Sequence, residues 1–217
     1  MKLIVFGASG ACGQWAVRLA AQRGWSVTAF VREQTSYTPP PDVRVVRGDV
    51  LNAAHVAPVM QGHDAVLSCL GAQRVSPINP WSPLRSRPDF CVRSAARLIE
   101  AAKAAGIQRI GAISAAGVGD SATALPLVMR VLLAHSTVGV MYRDLEQMEA
   151  AYAASGLDWF AVRPVTLINA QPSARARIVR RFRNASVIGR ADVVQWMLDA
   201  LVSPVMTVGR TPMLSWW

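Results

Sequence analysis

Apolar positions in this chain fall into short continuous runs separated by stretches of helical spacing. Lys2 to Phe6 is β-rich and is followed at once by Gly7-Ala8-Ser9-Gly10-Ala11-Cys12-Gly13, then by Gln14 to Arg23 with a stop at Gly24. That order predicts a strand, a glycine turn and a helix. Ser26 to Val31, Val43 to Val46 and Asp64 to Leu70 predict three more strands, the second of them preceded by a rigid Pro39-Pro40-Pro41 connector. Their apolar residues are contiguous and do not alternate with polar ones, as in strands covered on both faces of a parallel sheet. Over 88–105, Cys91, Val92, Ala95, Leu98, Ile99, Ala102 and Ala105 share one stripe between Pro88 and Gly106, which predicts a helix. Gln108 to Ser114 predicts a fifth strand, Tyr142 to Ala154 a helix, and Leu157 to Arg163 a sixth strand stopped by Pro164. Strands alternating with helices predict an open α/β sheet with right-handed crossovers.

The last fifty or so residues fit this pattern less closely. A basic stretch from Arg175 to Arg183, a helix from Ala191 to Leu201 and a strand near Val205 to Val208 are expected there. They are expected to complete one domain spanning 1–217, with about 165–217 forming a small substrate-side lobe.

Composition narrows the class. With 217 residues and 52% hydrophobic content the chain can bury a full core, which excludes disorder. Lys plus Arg number 23 against 13 Asp plus Glu, a net charge of +10, and Lys2 and Lys103 are the only lysines. That charge attracts anions, whether nucleic acid, acidic membranes or phosphorylated cofactors, without choosing among them. Cys12, Cys69 and Cys91 are odd in number and form no CxxC pair, so a disulfide framework is not expected and a reducing cytoplasm is the simplest location. His55, His63 and His135 have no ligand spacing, so no metal is expected. No run approaches the ~18 apolar residues of a membrane span. The basic stretch Arg175, Arg177, Arg180, Arg181, Arg183 has one interleaved aromatic, Phe182, and lies inside a folded region, so nucleic acid is not an expected partner.

A glycine turn between a first strand and a first helix lets the backbone approach a pyrophosphate, with the helix N-terminus facing the charge. Gly7, Gly10 and Gly13 set the spacing GxxGxxG, and in this context they predict dinucleotide binding. The fold expected is therefore a Rossmann-type, doubly wound parallel sheet with helices on both faces. At the end of the second strand an acid suits a ribose 2′-hydroxyl and an arginine a 2′-phosphate. Arg32 stands there, so NADP is the expected cofactor; Glu33 next to it leaves room for NAD. Cys12 stands at a helix start, where a thiol pKa is depressed, but reads first as a small packing residue. The long connection from Gly71 to Arg87 leaves the carboxyl end of strand four, where such sheets bind ligands, and reads equally as a substrate lid or as an ordered surface loop.

Along almost its whole length the chain resembles the atypical short-chain dehydrogenase/reductases, in particular their NmrA-like and flavin reductase/biliverdin reductase B-like branch. The likeness rests on KLIVFGASGACG at the start, VR at 31–32, GDV at 48–50, LSCLGA at 67–72, ISAAG at 113–117, SGLDWFAVRP at 155–164 and RADVVQWML at 190–198. The resemblance implies that Gly7, Ala8, Ser9, Gly10, Ala11, Cys12 and Gly13 cradle the cofactor. It further implies that Asp49 and Val50 lie beside the adenine, that Leu70, Gly71 and Ala72 run under the cofactor, and that Ser114 borders the nicotinamide, with Pro164 and Val165 closing over it.

The usual short-chain dehydrogenase takes its proton from a tyrosine tuned by a lysine four residues on. Four residues after Tyr37, Tyr142 and Tyr152 stand Pro41, Glu146 and Gly156, so that dyad is absent from the sequence. Tyr142 lies near the family tyrosine's place, and Glu146 is expected to raise its pKa. A flavin-type reductase manages without the dyad, passing hydride straight to an electron-poor acceptor that Ser114 could orient. The histidine that follows the proline motif in biliverdin-reducing relatives is replaced here by Thr166, which argues against tetrapyrroles and toward flavins, quinones or conjugated carbonyls. The leading expectation is an NAD(P)H-dependent reductase of a small planar acceptor, with no nucleic-acid or membrane partner, as a monomer or homodimer. The alternatives are an NmrA-like regulator that holds the dinucleotide without turnover, and a non-redox epimerase, isomerase or cyclisation enzyme.

Overall fold

The contiguous apolar runs become parallel strands. The computed structural model describes residues 1–182, 186–203 and 210–217; Arg183 and the strand expected near Val205 to Val208 lie outside them. In chain order the elements that frame the site are β1 (Lys2–Phe6), α1 (Ala11–Gln22), β2 (Ser26–Val31), β3 (Arg44–Arg47), α2 (Ala53–Met60), β4 (Ala65–Ser68), α3 (Phe90–Ala104) and β5 (Arg109–Ile113). They continue with a 3₁₀ turn (Gly119–Ala124), α4 (Leu127–Ala134), α5 (Thr137–Ala153), β6 (Asp158–Pro164), β7 (Thr166–Ile168), β8 (Arg177–Ile178), β9 (Val187–Gly189), α6 (Arg190–Val202) and β10 (Met213–Ser215). The order across the main sheet is β3-β2-β1-β4-β5-β6-β10-β8, parallel except for the β10–β8 pair, while β7 and β9 form a separate parallel ribbon.

The sheet divides the core in two. One apolar cluster, with Leu3, Val5, Val17, Phe160 and Leu198 at its heart, lies where α1 and α6 pack; the other, with Ile4, Phe6, Met60, Leu98 and Tyr152, lies under α2, α3 and α5. Successive residues of β1 contribute alternately to the two clusters, which is why its sequence is an unbroken apolar run. Charged groups hold elements together at a few buried points. The Asp144 carboxylate on α5 receives the Cys91 and Val92 amides at 2.8 and 2.9 Å, capping α3 from outside that helix. Arg163 on β6 is buried between Glu149, which takes Nε at 3.0 Å and Nη2 at 2.6 Å, and Asp120 of the 3₁₀ turn.

The last fifty residues depart from the simple alternation. β10 returns between β6 and β8, with the Val165 amide donating to the Leu214 carbonyl at 3.0 Å, and α6 packs against α1. The helix expected from Tyr142 begins five residues earlier, at Thr137, and α2, α4 and β10 are additional elements.

Candidate functional site

Chain order reverses at β1, which has β2 on one side and β4 on the other, so a crevice opens at the carboxyl ends of these strands. Gly7 leaves β1 at φ 75°, and a Cβ there would stand 2.7 Å from the Cys69 carbonyl oxygen. A Cβ on Gly13, in the first turn of α1, would stand 2.1 Å from the Gly7 oxygen. The loop is thus wound more tightly than any side chain allows, bringing the start of α1 onto the end of β1. Gly10 caps α1 without a side-chain hydrogen bond, and its own amide donates to the Gly7 oxygen at 2.9 Å. The first amides of α1, from Ala11 onward, keep the donor capacity and dipole that favour an anion. Ala8 is fully buried, and the Ser9 carbonyl accepts from the Gln14 side-chain Nε2 at 2.9 Å.

Cys12 takes the packing role expected of it, not the acidic thiol that a helix start allows. Burial pushes it up to about 11, outweighing the pull of the nearby Arg190 guanidinium. The thiol therefore stays neutral and serves as packing, leaving the loop free of negative charge. Arg190 itself is held by Asn169, with Nη1 to Oδ1 at 2.8 Å.

The remaining sequence-named positions follow the ends of neighbouring strands. Arg32 is exposed one residue beyond β2, and no carboxylate among the described residues pairs with it. The Glu33 and Thr35 carbonyls after it are held by Arg47 at 3.1 and 2.7 Å. Asp49 is exposed beyond β3, its Oδ1 accepting the Leu51 amide at 2.9 Å, and Val50 beside it is buried. Leu70 and Ala72 are half-buried and Gly71 exposed beyond β4; Ser114 follows β5, Pro164 ends β6 and Val165 is buried after it. Every one of these residues lies along a single edge of the sheet. Two open clefts, of about 460 and 550 Å³, flank Gln14 and Arg18 on α1 beside this edge, and the larger reaches the start of α1 at Ala11 and the Asn169 that holds Arg190. The larger cleft thus opens beside the α1 amides on which the anion site is built.

On the acceptor side, the Ser114 amide donates to the Val162 carbonyl at 2.7 Å, but its Oγ is buried without a hydrogen-bond partner. A buried hydroxyl left unpaired is costly unless a ligand pairs it. The Tyr142 hydroxyl donates to the Ala116 carbonyl at 3.1 Å and so braces the turn after β5. Its pKa is raised as expected, but the cause is burial and not Glu146. His135 is exposed at the end of α4. Sequence reasoning missed the Arg163–Glu149–Asp120 cluster and the Asp144 cap, whose partners are far apart in the chain.

The family model for NAD(P)H-binding matches residues 7–204. The chain belongs to that family. Among solved structures similar to this family member is ChuY, an anaerobillin reductase from Escherichia coli O157:H7, with a TM-score of 0.76 at 21% identity over 99% of this chain and 96% of that one. A short-chain dehydrogenase/reductase from Veillonella parvula DSM 2008, in complex with NADP, gives 0.76 at 16% identity over 98% and 94%. A Rossmann-fold NAD(P)-binding family protein from Shigella flexneri gives 0.69 at 20% identity over 99% and 93%. The likeness to these structures is one of fold. It bears out the doubly wound architecture, while the family match bears out the NAD(P)H-binding character read from the sequence.

Proposed function

We propose that the protein is an NADPH-dependent reductase of a small planar acceptor such as a flavin, a quinone or a conjugated carbonyl. The observation that carries the reading is the pairing of a glycine cradle, closed to any Cβ, with an orphaned Ser114 hydroxyl at the same sheet edge. The cradle fits a pyrophosphate and the orphaned hydroxyl fits the carbonyl oxygen of an acceptor. When bound, the cofactor supplies hydride.

The chain's own residues bind and orient. The α1 amides take the pyrophosphate, Arg32 the 2′-phosphate, and Asp49 with Val50 flank the adenine. Leu70 to Ala72 lie beneath the dinucleotide, and Pro164 with Val165 cover the nicotinamide. Ser114 donates its hydroxyl proton in a hydrogen bond to the acceptor oxygen and fixes the acceptor's plane. Tyr142, held on Ala116 with a raised pKa, keeps its proton and acts as a positioning residue. An electron-poor acceptor takes hydride without a strong acid, and water supplies the proton. The 71–87 connection and the β7–β9 ribbon form the acceptor side, while α6 and β10 complete the main core.

Purified protein is mixed with NADPH and a panel of flavins, quinones, conjugated carbonyls and a linear tetrapyrrole, and the reduced-nicotinamide absorbance is followed. Acceptor-dependent loss is expected with one of the first three classes. Ser114→Ala should lower kcat/KM for that acceptor by about 10–100-fold while changing NADPH affinity less than about twofold. A flat trace with NADPH bound would overturn the reductase reading in favour of a dinucleotide-holding regulator or a non-redox enzyme.

A further inference from the structure

Two segments at the carboxyl edge of the sheet stay outside both cores. Helix α4 has no buried residue, although six of its eight residues are Leu, Val or Met. Leu127, Val128 and Val131 are 70%, 80% and 53% exposed. In the connection after β4, Ile78 is 91% exposed, and Trp81 and Val75 are exposed as well. The two segments are joined: the Trp81 indole donates to the His135 carbonyl at 2.9 Å, and the Thr137 amide to the Pro80 carbonyl at 3.1 Å. The connection is internally braced by an Arg74–Leu84 bridge and by the Arg74 guanidinium on the Pro77 and Asn79 carbonyls. Its apolar side chains are therefore held outward by a built framework.

The unpaired charges within these two segments are positive, and the bordering acids Asp89 and Asp120 are paired with Arg87 and Arg163. Residues 71–88 contain Arg74, Arg85 and Arg87 and no acid; residues 121–143 contain Arg130 and Arg143 and no acid. Arg87 pairs with Asp89 at 3.0 Å. No carboxylate among the described residues lies within ion-pair reach of Arg85, Arg130 or Arg143, all of which are exposed.

We propose that this face docks on an anionic lipid bilayer, making the protein a peripheral membrane protein whose acceptor edge faces the lipid. Lying on a bilayer requires an apolar face with an exposed tryptophan and surrounding cations, not a spanning segment. The expectation of no membrane partner rested on the missing span alone and is revised here. A second copy is disfavoured because twofold pairing of this face would set arginines against arginines. A peptide would need a groove, whereas Ile78 and Val128 protrude. The docking stands whether or not the site proves to be a reductase.

The test is co-sedimentation with vesicles of phosphatidylcholine alone or mixed with phosphatidylglycerol, at equal lipid. Binding to the anionic vesicles is expected to exceed that to the zwitterionic ones by about tenfold or more. The double variant Ile78→Asp/Val128→Asp should lose about tenfold of it. A charge-matched control, Gln22→Asp/Ala104→Asp on exposed positions of α1 and α3, should lose far less. Thermal melts of both variants establish that they fold. No binding to either vesicle, or equal loss in the control, would overturn the proposal. So would light scattering that showed a lipid-free dimer dissociated by Ile78→Asp/Val128→Asp, which would make the face a contact between copies.

Discussion

Arg32 stands beyond the last residue of β2 without a neutralising carboxylate among the described residues, so its full charge is available to a ligand. A 2′-phosphate gains a charge-assisted pair from it, and a 2′-hydroxyl gains little. Arg32→Asp is therefore expected to weaken NADPH by about 10–100-fold in a calorimetric titration while changing NADH by less than about threefold. Because the side chain is exposed, the melting temperature should hardly move. Equal losses for both dinucleotides would remove the argument for NADP. Ser114 is the opposite kind of residue, buried and unpaired, and its Ala variant tests the acceptor side alone.

At the scale of elements, Asp192 shows how one carboxylate joins three parts of the chain. It opens α6, accepts the Ser173 hydroxyl at 2.6 Å and the Ser173 and Ala174 amides at 2.7 and 3.0 Å, and receives the Trp216 indole at 2.6 Å. Burial alone would raise its pKa, but these hydrogen bonds outweigh burial and hold it below the usual aspartate value. A carboxyl depressed by folding stabilises above its unfolded pKa, and that stabilisation is lost as pH falls through the folded value. Asp192→Asn is thus expected to lower stability near neutral pH by about 1–3 kcal/mol. The gap between the melting temperatures of the two proteins should close as the pH drops below the usual aspartate range. A gap that persists there would show that the carboxylate's charge is not what matters. Nothing in the sequence near Asp192 announces these partners, which lie 18 to 24 residues away. The strands were legible because burial on both faces demands contiguous apolar runs, and β1, β2 and β6 fall within a residue or so of their expected bounds. The glycine loop was legible because a tight strand-to-helix turn excludes side chains. By contrast α2 carries Pro58 internally, α4 has no polar face to set a period, and β10 is three residues long, so local pattern gave no handle on them. Of the site, the backbone cradle and Arg32 could be read from spacing, whereas the unpaired state of Ser114 depends on how β5 and β6 pack.

The whole molecule carries +10, and the cofactor it holds is a polyanion. A field of that sign raises the rate of encounter with an anion, and salt screens it over a Debye length of about 8 Å at physiological ionic strength. Contacts made inside the crevice, between the α1 amides and the pyrophosphate, are less screened because little solvent separates them. The two effects divide between the rate constants. In stopped-flow mixing, raising the salt from about 0.01 to about 0.15 M should slow NADPH association several-fold and change dissociation less. Arg32→Asp should act the other way, chiefly accelerating dissociation, because it removes a contact and only two of the charge units that make up the field. If salt altered dissociation alone, the net charge would be irrelevant to capture, and the arginines would have to be explained by local partners one at a time.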